Sequence, residues 1–165
     1  MKRVLFLCTA NSARSILAEA ILARRGEGRF EALSAGSMPR GEPNPLALAL
    51  LAERDHPTGG LRSKSWTEFA GADAVPVDLV ITVCDAAAGE TCPVWPGHPV
   101  QAHWGIPDPA GHGHDGSLAD FAVAYRRLDE RIGKLLALDE SAMAPADWRA
   151  AVMAIGRESE GATGG

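Results

Sequence analysis

Cys8 and Arg14 are the first residues of this 165-residue chain whose types and spacing suit chemistry on an anion. Cys8 closes the apolar run "VLFL", and Thr9, Ala10, Asn11, Ser12 and Ala13 separate it from Arg14 and Ser15. A loop between a strand and a helix leaves several backbone N–H groups aimed at one spot, with the positive end of the helix dipole behind them. Small residues let such a loop wrap closely around an oxyanion. Arg14 adds a planar fork of donors that grips two oxygens together. The same field is expected to lower the pKa of Cys8 and give a thiolate nucleophile, with Ser15 placed to donate its hydroxyl to it. A buried cysteine and an unrelated surface arginine reproduce the spacing by chance. The position between an apolar strand and a helix favours the functional reading.

Those residues need a scaffold that delivers a strand end to a helix start. Val4 to Leu7 reads as a strand covered on both faces. "SILAEAILARRG" reads as a helix stopped by Gly26, and Phe30 to Ala35 as a second strand. Asn44 before Pro45 predicts a capped helix to about Arg54. Ser65 with Glu68 has the capping-box pattern of a short helix. Val77 to Cys84 is the strongest buried-strand signal, and "PVQAHW" a fourth strand. Ser117 and Asp120 open a helix whose Phe121, Tyr125, Leu128, Ile132 and Leu135 share one face. Alternating strands and helices imply a parallel α/β sheet, with ligands beyond the carboxyl ends of strands, where Cys8 and Cys84 both fall. The expected fold is a three-layer sandwich around a four-stranded parallel sheet.

The whole chain holds three cysteines, Cys8, Cys84 and Cys92. An odd number explains a structural disulfide framework poorly and redox or catalytic thiols better. The formal charge of −5, from 16 basic and 21 acidic residues, argues against nucleic acid or anionic membrane as a partner. The apolar start is too short and too interrupted for a signal peptide, and no segment matches a membrane span, so a cytoplasmic location is expected.

The stretch "VLFLCTANSARSILAEA" resembles the catalytic loop of low-molecular-weight protein tyrosine phosphatases and of the arsenate reductases that share their fold. That resemblance covers about residues 2 to 138. It implies a nucleophile at Cys8, oxyanion binding by Arg14, and a general acid at Asp108, which precedes Pro109 in "HWGIPDPAG". "CPVWPG" and "HWGIPDP" resemble the reductase branch, and the residues after Asp108 lack the tyrosines usual in phosphatases. Arsenate reductase is therefore the expected activity, with a phosphatase using Cys8, Arg14 and Asp108 as the alternative. The resemblance further implies a relay in which Cys84 attacks Cys8 and Cys92 then attacks Cys84, with thioredoxin or glutathione and glutaredoxin as electron donor.

Some thioredoxin-coupled members bind potassium beside the loop through an asparagine, a glutamate, a serine and an aspartate. Asn11, Glu19 and Ser34 match three of these, but the aspartate position falls on Thr67, so no metal site is predicted. No cofactor is predicted. Cys84, Cys92, His98, His103, His112 and His114 match no defensible zinc spacing. Trp95 and Trp104 are expected to pack rather than stack on a ligand. Residues 1–140 are read as the catalytic domain and 141–165 as an extension, with a short helix around Ala146 to Arg157 and a flexible tail.

Overall fold

The computed structural model describes residues 2–71, 73–84, 95, 99–106, 109 and 117–163, the last six of these as backbone alone. In chain order they form β1 (Lys2–Leu7), α1 (Arg14–Arg25), β2 (Phe30–Ala35), α2 (Pro45–Glu53), a 3₁₀ turn (Trp66–Phe69), β3 (Leu79–Thr82), β4 (Val100–His103), α3 (Leu118–Ala137) and α4 (Pro145–Thr163). The strands make one parallel sheet in the order β2-β1-β3-β4.

Strand β1 is central, and its side chains alternate between two cores. Val4, Phe6 and Cys8 join the cluster built with Ile16, Leu17 and Ile21 of α1, Leu51 of α2, and Phe121, Leu128 and Ile132 of α3. Leu5 and Leu7 point the other way, to Val80, Val77 and Trp95, beneath Trp66 and Phe69 of the 3₁₀ turn. A strand with two dry faces must be apolar at every position, which is why its sequence shows an unbroken run. The expected α/β sandwich with a parallel four-stranded sheet is the fold observed.

Helix starts follow local chemistry. Asn44 accepts from the Leu46 N–H at 2.8 Å with Pro45 at the first helical position, and Ser117 accepts from the Asp120 N–H. The capping box expected at Ser65 and Glu68 does not close. Ser65 accepts from Thr67 N–H, while Glu68 turns outward to the Arg62 guanidinium at 2.8 Å. An exposed arginine within reach is a stronger partner for the carboxylate than the serine amide, and the turn is 3₁₀ rather than α.

The C-terminal helix is part of the main core. Trp148, Val152 and Ile155 of α4 are buried with it, and helical backbone continues past Arg157 to Thr163. Trp104, fully buried after β4, donates its indole N–H to the Val152 carbonyl at 3.1 Å. Gly156 lies so close to β4 that a Cβ there would collide with the His103 carbonyl oxygen. Among the described residues, no helix is long and apolar enough to cross a membrane.

Candidate active site

All parallel strands deliver their carboxyl ends to one side of the sheet, and there Cys8, Gly36, Cys84 and Trp104 emerge from the four strands. The segment after Cys8 is held by its carbonyls. The Thr9 carbonyl accepts from Met38 N–H at 2.9 Å, that of Ala10 from Arg40 N–H at 3.1 Å and Ser63 Oγ at 3.0 Å, and that of Ser12 from Asn44 N–H at 2.8 Å. In a trans peptide the N–H points opposite to the C=O. The N–H groups of Ala10, Asn11 and Ala13 therefore point away from those carbonyl partners. Asn11 makes the required reversal with φ +46°, a left-handed conformation that asparagine tolerates better than most residues. Gly36 lies directly below, where a Cβ would strike the carbonyl oxygens of Cys8 and Thr9.

Helix α1 completes the cradle. Its N-cap is Ala13, which has no side chain to accept from the first-turn amides, in contrast to Asn44 and Ser117 at the starts of α2 and α3. No acidic residue sits in that first turn. The positive end of the helix is thus left without a side-chain cap or an acidic residue of its own. Arg14 is anchored by one arm, its Nη1 donating to the Ile106 carbonyl at 2.9 Å. Ile106 N–H in turn binds the Val83 carbonyl, so the guanidinium is braced against the exits of β3 and β4. Ser15 Oγ, expected beside the thiolate, accepts from Asn11 Nδ2 at 2.8 Å.

Two thiols meet at this ring. Cys84 stands beside Cys8 and is the strongest influence on its protonation, while the Thr9 amide favours the Cys8 anion. Thr9 Oγ1 stands 3.9 Å from Cys84 Sγ. Both cysteines are buried and unbridged. The expected lowering of the Cys8 pKa is overturned in this arrangement. The Cys84 thiol beside it and then burial push it far above the ordinary thiol range, against the opposing pull of the Arg14 guanidinium and the Thr9 amide. A buried thiol beside a second thiol gives up its proton less readily than an exposed one.

Beneath the loop is a buried polar cluster. Asn11 Nδ2 donates to Ser34 Oγ at 3.0 Å as well as to Ser15, and its Oδ1 accepts from the Lys64 backbone N–H at 2.8 Å. Ser34 Oγ donates to Glu19 Oε1 at 2.5 Å. The Lys64 ammonium closes the set, 3.5 Å from Ser34 Oγ and 3.6 Å from Glu19 Oε1.

The structure thus gathers Cys8, Arg14, Cys84, Asn11 and the loop residues. Cys92 and Asp108 lie outside the described residues. His103, weighed as a metal ligand, pairs through Nδ1 with Thr82 Oγ1 at 2.7 Å. Trp95 packs edge-on against Trp66, with ring centroids 6.3 Å apart. Tyr125 is buried against His56, with its Oη 2.7 Å from Nε2. Gly36 and Lys64 were missed by sequence reasoning. A glycine closing "LSAG" at a strand end was a usable signal for close approach. Lys64 in "RSKSW" resembles any solvated lysine and carries no such signal.

The model of the family "Low molecular weight phosphotyrosine protein phosphatase" matches residues 3–144. Arsenate reductase 1 of Bacillus cereus is 36% identical over 130 residues, which span 78% of this chain and 87% of that protein. The glutaredoxin arsenate reductase of Synechocystis is 29% identical over 83% of this chain and 98% of its own length. A solved thioredoxin-dependent arsenate reductase of Corynebacterium glutamicum superposes with a TM-score of 0.61 at 30% identity, over 82% of this chain and 60% of that one. A loop that carries a cysteine and an arginine at the end of a parallel sheet, and a match across most of the chain, lead to one conclusion: this chain belongs to the low-molecular-weight phosphotyrosine protein phosphatase family, alongside relatives named arsenate reductase.

Proposed function

We propose that this protein reduces arsenate to arsenite by thiol chemistry begun at Cys8. The observation that carries the reading is a second buried thiol, Cys84, beside Cys8 at the same end of the sheet. Hydrolysis of a phosphoester needs one nucleophile and has no use for a second thiol. Delivery of two electrons requires one within reach of the first. The relatives named arsenate reductase support the same choice.

In this scheme the loop amides and Arg14 hold arsenate, and an arsenate oxygen takes the Cys8 proton as sulfur bonds to arsenic. Asp108 protonates the departing oxygen, which leaves as water. Cys84 then attacks the Cys8 sulfur, the S–As electron pair passes to arsenic, and As(III) leaves as arsenite. The Cys8–Cys84 disulfide carries the two electrons' worth of oxidation. Attack by Cys92 on Cys84 regenerates Cys8 and moves the disulfide to Cys84–Cys92, for reduction by thioredoxin or by glutathione and glutaredoxin. The raised Cys8 pKa suits this order, since the proton is retained until an acceptor anion enters the ring.

The test is arsenite production by the full chain, with the thioredoxin and glutathione–glutaredoxin systems supplied in turn. Turnover with one of them, lost in Cys92→Ser, is the expected result. Hydrolysis of aryl phosphates without arsenite production would establish the phosphatase reading instead.

A further inference from the structure

Lys64 is a buried cation that the proposed chemistry does not use. Its side chain is 8% exposed, its ammonium donates to the Arg62 carbonyl at 2.9 Å, and its remaining directions face Ser34 Oγ and Glu19 Oε1. Burial lowers its pKa and the Glu19 carboxylate opposes this only in part, so the ammonium is held at a net cost in desolvation. Such a cost marks a group worth explaining.

Its position suggests the explanation. The Lys64 main chain fixes Asn11 Oδ1, and its side chain fixes the Ser34 and Glu19 oxygens; Ser34 Oγ also accepts from Asn11 Nδ2. Asn11 is the fully buried residue whose left-handed backbone turns the loop. Lys64 therefore holds Asn11 directly through its main chain and, through Ser34, by its ammonium.

We propose that Lys64 is a positioning residue whose ammonium acts as a built-in cation beneath the anion-binding loop, holding Asn11 and the loop amides ready for the oxyanion without a bound metal ion. A carboxylate and a hydroxyl gathered around one point are a donor set suited to a small cation. Here the ammonium, tethered to the same chain, takes that place. The proposal rests on the reading of the Cys8 loop as an oxyanion site, and not on which reaction follows.

The test compares the full-length wild type with Lys64→Met and Lys64→Arg, in potassium chloride and in choline chloride at equal ionic strength. Affinity for inorganic phosphate is measured by calorimetry, and arsenate turnover separately. Wild-type affinity is expected to be the same in both salts. Lys64→Met in choline should bind phosphate about tenfold more weakly, the scale of one lost hydrogen bond to a charged group. Its KM for arsenate should rise in parallel, with kcat within about twofold. Potassium should restore part of the loss in that variant alone, and Lys64→Arg should restore most of it. A folded Lys64→Met with wild-type phosphate affinity in choline would overturn the proposal. So would potassium stimulation of the wild type, a comparison that decides even if Lys64→Met does not fold. Absence of arsenite production in every protein would count against the proposed reaction and leave the binding result to stand alone.

Discussion

The exits of β1 and β4 lie at the same end of one sheet, yet they are held in place by different forces. Beyond β1, the loop hangs on directional bonds: outward carbonyls, the amide of Asn11, the hydroxyl of Ser34, and the Glu19–Lys64 pair. Beyond β4, the chain is held largely by bulk. Trp104 is enclosed, α4 presses Val152 and Ile155 into the core, and Gly156 lets the helix touch the strand. Buried Arg131 adds hydrogen bonds to the Trp104 and Gly105 carbonyls. Apolar packing gives stability in proportion to buried area but tolerates small displacements. Hydrogen bonds fix direction, which a ring of amides aimed at one anion requires. Geometry should therefore fail first at β1, and stability at β4.

Removing the nucleophile should produce the largest effect. Cys8→Ser is expected to lower arsenate turnover by about 10⁴-fold or more while phosphate still binds, as calorimetry would show. At the opposite region, Ile155→Ala should cost about 2–5 kcal/mol in denaturant unfolding, with kcat/KM unchanged for the protein that remains folded. A comparable loss of activity there would erase the contrast between the two regions.

Gly36→Ala sharpens the comparison from the other side. The added methyl displaces the Cys8 and Thr9 carbonyls, so kcat/KM should fall about 10²-fold, the scale of an ångström-sized misplacement of reacting groups. The change in unfolding free energy should be smaller than for Ile155→Ala. The mildest effect concerns protonation. Cys84 is the first cause raising the Cys8 pKa, so Cys84→Ala should lower it and shift the pH profile of Cys8 alkylation by iodoacetamide to more acid pH. The sign follows because the neutral thiol loses its neighbour while Arg14 and the Thr9 amide continue to favour the anion. An unmoved profile would place the cause in burial instead.

Most elements were legible because their signals are local. The unbroken apolar run of β1, the Asn44–Pro45 start of α2 and the single apolar face of α3 depend on neighbours within a turn or two of chain. Cys8 and Arg14 were legible for the same reason, since one loop carries both. The Ser65–Glu68 capping box misled because its pattern omits Arg62, which competes for the same carboxylate.

The sequence by itself determined the parallel α/β sandwich and the pairing of a cysteine with an arginine across one strand–helix loop, because hydrophobic period and loop composition act over short distances. Only the tertiary structure decided that Cys84 lies beside Cys8 and raises its pKa, and that Lys64 reaches beneath Asn11. Those facts depend on residues more than fifty positions apart being brought side by side, and on a local dielectric that exists only once the core around them has closed.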